Sequence, residues 1–382
     1  MSNRSNQQSE TKPESKTNSK TNSKAKANKP SIVNVAVAVI HYKDQYLLGF
    51  RDATQHQGNR YEFVGGKIEA NESAAQALIR EVAEETGILL DNNTIGKLGR
   101  LHHDYGDKQV SLQVYKIELI AEQYEHHKHC EQGLEGQALT WVSKSQLLAG
   151  EYHLPAANKT ILEWLKLPSK IVISYPLAHF GTHTDAAAAW LQYHQENLAS
   201  ESWVYIRLKD ANSKHLAEQL ITTRPDILAV LPNDNEQPLN GQGSLTANET
   251  EISQRIVAKH LTHSTLMQCF DEDGSSTALT QSLSKDYPLI VSCHDIASIT
   301  AANQLASMRI QNALPPVIGA FVSPVLATQT HPDDTPFGWE AWSALAELAD
   351  MPVIGLGGLE PAMLNQALQY GGISVAGIRQ FI

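Results

Sequence analysis

Three glutamates within residues 65–88, GGKIEANESAAQALIREVAEETGI, have the type and spacing to hold a hard metal ion. Glu81, Glu84 and Glu85 stand at i, i+3 and i+4, so on a helix their carboxylates crowd one neighbouring face. Like charges at that spacing destabilise a helix unless something positive sits among them. A divalent cation with oxygen ligands is the natural partner, and Mg²⁺ usually binds carboxylates together with substrate phosphates. An exposed backbone carbonyl at Gly65 or Gly66 can join such a shell, and Arg80 can hold a neighbouring carboxylate in orientation.

Those side chains need a helix, and the sequence predicts one from about Ser73 to Thr86. Asn71 can cap it, Glu72 falls in the favourable first turn, and Gly87 can supply a left-handed C-terminal residue. Ala75, Leu78, Ile79 and Val82 make the apolar stripe that would dock it. Around it, the β-branched and apolar run from Ile32, a KDQ turn and YLLGFR predict a hairpin over 32–51. Further strands are expected at 98–103, 109–120 and 138–142, and a helix at 159–167. Irregular alternation of strands and helices suggests an α+β sandwich, a mixed sheet with flanking helices, over residues 31–168.

From Lys170 the rhythm changes. Short apolar strands are expected near 171–175, 203–207, 227–231, 257–261, 289–293, 317–321, 352–355 and 374–377, most of them separated by helical stretches. Eight strands with intervening helices is the count of an α/β (β/α)8 TIM barrel, placed at residues 169–382. The polar segment 232–251 reads as an enlarged loop.

Composition narrows the function classes. Hydrophobic residues make up 42% of the 382, enough for real cores, and the net charge is −11. That balance argues against stable nucleic-acid binding, which needs clustered Lys and Arg. Residues 1–30 carry Arg4 and six lysines against Glu10 and Glu14, a net of +5 that leaves −16 for the remainder. This polar repeat cannot bury enough apolar surface to order itself and is expected to be a disordered tail. It also lacks the apolar run of about 7–15 residues that an export signal needs. The three cysteines, Cys130, Cys269 and Cys293, form no CxxC pair, which fits free thiols in a cytoplasmic protein without a membrane span. EHHKHC at 125–130 reads as a solvated connection and Cys293 as a buried strand residue.

The helical run is more specific than a solvated acidic face. Gly66, Glu72, Arg80, Glu81, Glu84, Glu85 and Gly87, with aliphatic Val82 and Ile88, complete the pattern G-x5-E-x7-R-E-U-x-E-E-x-G-U. Seven fixed residues at ~6% frequency, plus two aliphatic positions, would match by chance in such a chain on the order of once in ten million. On these residues the chain resembles Nudix hydrolases, which cleave a nucleoside diphosphate linked to another group using Mg²⁺, with Mn²⁺ as the alternative cation. The flanking GFRDATQHQGNRYEFVGGK resembles the MutT-type 8-oxo-dGTP diphosphatases. That resemblance implies substrate contacts at Arg51, His56, Glu62 and Phe63, with Val64 standing where the family has proline. GLEGQALTWV and HLPAANK resemble two downstream family segments, which implies Glu135 near the metal and Asn158 reading the oxidised guanine edge. An amide offers a donor and an acceptor together, which suits such discrimination. The metal would be held by Gly65, Glu81, Glu84 and Glu85, with Glu81 or Glu135 activating water. The implied substrate is a nucleoside triphosphate, released as monophosphate and pyrophosphate.

The second half resembles thiamine phosphate synthases, best at its C-terminal end, where LIVSCHDIASITAANQL, GAFVSPVLATQTHP, PVIGLGGL and VAGIR lie. The resemblance implies a phosphate cradle at Gly355, Gly357 and Gly358 for a thiamine phosphate-like ligand. Arg207, Lys209 and Asp234 stand at strand ends where the family has functional residues. The chain departs at HLTHST, which holds no metal-binding acid, and at His331, where the family has lysine. The expected function is therefore removal of oxidised nucleotides, with a barrel that binds its ligand without turnover. Alternatives are a bifunctional thiamine enzyme whose first half acts on a thiamine-related diphosphate, and a nucleotide-binding regulator, against which the full set of carboxylates argues.

Overall fold

The computed structural model describes residues 32–208, 213–233, 247–329 and 335–382. The tail 1–30, Lys209, Asp234 and His331 lie outside the described residues. No helix among the described residues is long and apolar enough to cross a membrane.

The first layer is a seven-stranded mixed sheet in the order β3-β2-β1-β6-β5. Its strands are β1 (Ile32–Tyr42), β2 (Gln45–Arg51), β3 (Arg60–Glu62), β4 (Val64–Lys67), β5 (Ile95–Asp104), β6 (Gln109–Glu118) and β7 (Leu139–Ser143). β4 adds to β1 and β7 to β2. β1 and β6 run parallel, Ile32 opposite Gln109, and the other pairs are antiparallel. Helix α1 (Ala74–Thr86) covers the sheet, followed by α2 (Ala121–His127), α3 (Lys144–Leu148) and α4 (Asn158–Leu165). Ala77, Leu78 and Val82 of α1 are buried against Ala36, Ala38 and Ile40 of β1.

Two details of α1 differ from the expectation. The N-cap is Ser73, not Asn71: Ser73 Oγ accepts from the Gln76 N–H, and Gln76 Oε1 accepts from the Ser73 N–H at 2.8 Å. A glutamine at N3 completes a capping box, which Asn71 cannot do from two residues upstream in a left-handed turn with φ 73°. Glu72 thus precedes the helix rather than joining its first turn. The second difference is Ile79, which is 42% exposed, because Ala77 takes the core-facing position instead.

Eight parallel strands then close a barrel: β8 (Lys170–Ile173), β9 (Trp203–Tyr205), β10 (Leu228–Pro232), β11 (Ile256–Leu261), β12 (Leu289–Cys293), β13 (Val317–Val322), β14 (Val353–Leu356) and β15 (Ser374–Gly377). The last strand pairs with the first, Val375 opposite Lys170. The segment expected as one enlarged loop ends earlier than 251, because a helix begins at Ala247 and runs to Arg255.

The sandwich seals the barrel's N-terminal mouth. Trp164, near the end of α4, donates its indole N–H to the carbonyl of Val317, the first residue of β13, at 3.0 Å. Arg100 of β5 pairs with Asp350, just before β14, through two 2.7 Å contacts. Lys97 donates to the Glu347 carbonyl. Leu98, Leu101, Trp164, Ile171, Ile318 and Ile354 accordingly belong to one buried cluster. Burying this much apolar side chain across the junction favours a fixed arrangement of the two halves.

Candidate active site

Gly66 and Glu81 define the centre of the first site. A Cβ built on Gly66 would fall 2.2 Å from the Glu81 carboxyl, so that carboxylate lies directly on the glycine backbone. Only a residue without a side chain permits this approach. Arg80 then gathers the other acids: its guanidinium bonds Glu72 at 2.7 Å, Glu81 at 2.8 Å, Glu84 at 3.0 Å and the Lys67 carbonyl at 3.2 Å. The positive charge needed among these glutamates is thus supplied from within the helix, and it raises the arginine's own hold on its proton.

Glu85 is held differently. The Gly65 N–H donates to its Oε1 at 3.1 Å, and Gln137 Nε2 donates to its Oε2 at 3.3 Å. Burial pushes its carboxyl up to about 7, against the Gly65 hydrogen bond and helped by the nearby Glu62 and Glu81 charges. Among the described residues no three His, Cys, Asp or Glu side chains already converge as a metal cage. The donor chemistry nevertheless fits a hard cation: Glu81 and Glu85 flank the β4 glycines, Glu84 is exposed beside them, and all offer oxygen.

A second group of side chains lies on β2, β3 and the adjoining loops. Arg51 and Glu62 form an ion pair, and the Arg51 Nε is buried without a hydrogen-bond partner among the described residues. Burial raises the Glu62 carboxyl, with Arg51 opposing the shift. Tyr105, which no motif in the sequence singles out, is hydrogen-bonded to the Ala157 backbone and feels the charges of Arg51 and Glu62. His56 meets the Tyr105 ring edge-on at 5.3 Å and faces Asp107 at 3.4 Å. Asn158 opens α4 next to Ala157 and is 6% exposed, and its side-chain amide makes no hydrogen bond among the described residues. Arg51, Glu62 and His56 are therefore neighbours of Tyr105, and Asn158 follows the Ala157 to whose backbone Tyr105 is bonded. Phe63 is not part of this surface: it is 3% exposed and packed in the core, which leaves little of its ring for a ligand. Glu135 is exposed and makes no hydrogen bond or ion pair among the described residues. The side chain of its segment that hydrogen-bonds to α1 is that of Gln137, two positions on.

Comparison with known proteins finds a family match for each half of the chain. Residues 35–164 match the family model described as NUDIX domain, and residues 271–381 match that described as thiamine monophosphate synthase. The CTP pyrophosphohydrolase of Escherichia coli K12 is 32% identical over 133 residues, 35% of this chain and 90% of that protein. The chain belongs to the Nudix family. A second Nudix relative, the 8-oxo-dGTP diphosphatase of the same organism, is 30% identical over 35% of this chain and 96% of its own length. That of Haemophilus influenzae is 34% identical over 35% of this chain and 91% of its own. The Nudix domain is followed by a thiamine phosphate synthase-like barrel.

That barrel encloses a chamber of about 1130 Å³ at the C-terminal ends of its strands, opposite the Nudix domain. Its floor is aromatic, with the rings of Tyr205 and His260 4.5 Å apart and Phe321 5.6 Å from His260. Arg207, Lys214 and Arg379 line the wall. Gly357 and Gly358, at φ 96° and 67°, line the rim. Gly355 does not: it sits inside β14, where a Cβ would meet Leu359 at 2.8 Å and Trp342 at 3.5 Å. At the departure from the synthase pattern, Thr262 caps the short helix His263–Met267 and Thr262, His263 and Ser264 face the chamber. Cys293 is fully buried and its thiol is pushed up to about 12 by burial. His126 and His127 close α2, where His127 Nδ1 bonds the Gln123 carbonyl at 2.8 Å, rather than lying in a loose connection.

Proposed function

We propose that the Nudix domain hydrolyses oxidised purine nucleoside triphosphates, converting 8-oxo-dGTP to 8-oxo-dGMP and pyrophosphate, and that the barrel binds a phosphorylated thiamine-like ligand. The observation that carries the first part is Asn158, a residue 6% exposed whose side-chain amide has no hydrogen bond among the described residues and which follows the Ala157 backbone bonded by Tyr105, the ring that feels the Arg51 and Glu62 charges. A free donor and acceptor held in a nearly closed place can read one purine edge, because a wrong edge leaves both unpaired.

Glu81, Glu84, Glu85 and the Gly65 carbonyl would hold Mg²⁺. When bound, the cation supplies neutralisation of triphosphate charge as the phosphoryl group transfers. Arg80 fixes Glu72, Glu81 and Glu84 relative to one another, so little reorganisation remains when substrate arrives. Glu81 or the exposed Glu135 accepts the proton of the attacking water. Arg51, Glu62 and Tyr105 form the wall on which the base is placed, and His56 lies at its edge.

A second base preference is favoured by two observations. The CTP pyrophosphohydrolase is as similar to this chain as the 8-oxo-dGTP diphosphatases. Val64 replaces the family's proline and is built into β4, paired with Ala38 and 1% exposed. The deciding experiment is a hydrolysis panel on the full chain with Mg²⁺: 8-oxo-dGTP, dGTP, CTP and thiamine diphosphate. Preference for 8-oxo-dGTP is expected; preference for CTP or thiamine diphosphate would replace this reading.

For the barrel, Gly357 and Gly358 offer backbone N–H groups to a phosphate at the strand-end position where such barrels hold one. The aromatic floor suits a flat ring beneath it.

A further inference from the structure

We infer that Gln137 is a positioning residue for metal binding, locking Glu85 in place. The inference rests on the reading of α1 as the metal-binding helix and adds a residue outside that helix.

Glu85 is gripped from two elements at once. On one side the Gly65 N–H of β4 holds Oε1. On the other, Gln137 Nε2 reaches both Oε2 and the Glu85 main-chain carbonyl, each at 3.3 Å. The turn that carries Gln137 is itself docked on the same residue, because the Leu134 N–H donates to the Glu85 carbonyl at 2.8 Å. Gly133 closes the turn by donating to the Gln137 carbonyl at 2.8 Å, and a Cβ on Gly133 would sit 2.4 Å from the Glu85 carbonyl. With both oxygens engaged, the carboxylate is restrained from rotating about its terminal bond, which leaves its remaining lone pairs in a preferred direction. An amide suits this role because it donates to the carboxylate without adding charge beside Glu62 and Glu81.

The other end of the amide strengthens the assignment. Gln137 Oε1 is buried with no hydrogen-bond partner among the described residues. A buried carbonyl left unpaired is costly unless something absent from the protein itself engages it. Water in the shell of a cation held by Glu85 would meet that requirement.

The test is Mn²⁺ titration of the full chain by electron paramagnetic resonance, alongside kinetics with 8-oxo-dGTP. Gln137→Ala should weaken Mn²⁺ binding by about 10–100-fold, the usual effect of removing a group that orients a ligand. It should lower kcat while KM stays within about twofold. In a Glu85→Gln background the same substitution should add nothing, since its target is gone. Should Gln137→Ala fail to fold, Gln137→Met keeps the volume and removes the amide, with the same expected loss. Unchanged Mn²⁺ affinity, or a full loss that persists in the Glu85→Gln background, would overturn the inference. Metal affinity is read without substrate, so a different base preference would leave this result standing.

Discussion

Trp164 and Val317 are joined by a buried hydrogen bond, indole N–H to carbonyl at 3.0 Å, between the last helix of the Nudix domain and the barrel. Gly99 lies against the same indole, where a Cβ would approach to 2.7 Å. Nudix strand β5, helix α4 and the barrel therefore share one interface, and its residues are core rather than surface. Trp164→Phe should leave the Val317 carbonyl without this donor and cost about 1–3 kcal/mol, and Trp164→Ala about 3–5 kcal/mol. Calorimetry should show the two domains melting in one transition that moves down in both variants. Two separate transitions in the parent chain would show that the domains do not depend on each other.

Removal of the metal ligands gives the second expectation. Glu81→Gln and Glu85→Gln should each reduce Mg²⁺-dependent hydrolysis by at least ~10²-fold, and chelation of the metal should abolish it. Their effects on stability should differ in sign. Glu81 loses its ion pair with Arg80, whereas Glu85 loses a buried charge already pushed up to about 7. Thermal melts should therefore fall slightly for Glu81→Gln and hold or rise for Glu85→Gln. Near-normal hydrolysis in either variant would remove it from the site.

Base reading is tested at Asn158. Asn158→Ala should raise KM for 8-oxo-dGTP much more than for dGTP, by an amount corresponding to ~1–3 kcal/mol. Steady-state kinetics on the two nucleotides decide it. Equal effects would place selectivity elsewhere, with the Val64 strand the next place to look.

Much of this arrangement was legible from periodicity and spacing, because those signals are local. The extent of α1, the hairpin at 32–51 and the eight barrel strands depend on neighbours within a few residues, and they fall close to where expected. What escaped depends on distance. The exception is local: the choice of Ser73 over Asn71 turns on the side chain of Gln76, three residues on, reaching back to the cap. The importance of Gln137 beside an exposed Glu135 turns on where a remote turn docks. Arg100 and Asp350 are 250 positions apart, and no pattern in either segment announces the pair.

Acid should destabilise the protein through histidines buried in neutral form. His194 donates from Nδ1 to the Trp190 carbonyl at 2.7 Å and accepts at Nε2 from the Tyr175 N–H at 3.1 Å, so the fold has no place for a second proton. Burial lowers its pKa to about 4, and burial with nearby Lys116 does the same for His41. The unfolded chain takes up these protons near pH 6.5, the folded chain only near 4. Stability from each is therefore fully present above about pH 6.5 and lost as pH falls toward 4, by roughly 3 kcal/mol at most. Urea midpoints at pH 7.5 and pH 5 should differ in that direction. His194→Gln should flatten the dependence, and an unchanged slope would show that His194 is protonated in the fold.

The barrel should bind without turning over. Gly357 and Gly358 present their backbone to the chamber, and Arg207, Lys214 and Arg379 add positive charge around it. Isothermal titration of the full chain with thiamine phosphate should therefore show binding, and Arg379→Ala should weaken it. Synthesis asks for more: a metal to neutralise departing pyrophosphate and a cation against the developing charge. At the first position Thr262, His263 and Ser264 face the chamber where the family's acid is missing. The full chain is the form to test, because a fragment starting at Pro168 would expose Val317, Asp350 and Ile354 at a mouth that Trp164 and Arg100 now close. Complementation of a thiamine-requiring strain by the full chain would overturn the prediction of an inactive barrel. Absence of both binding and complementation would instead leave it as a platform for the Nudix domain.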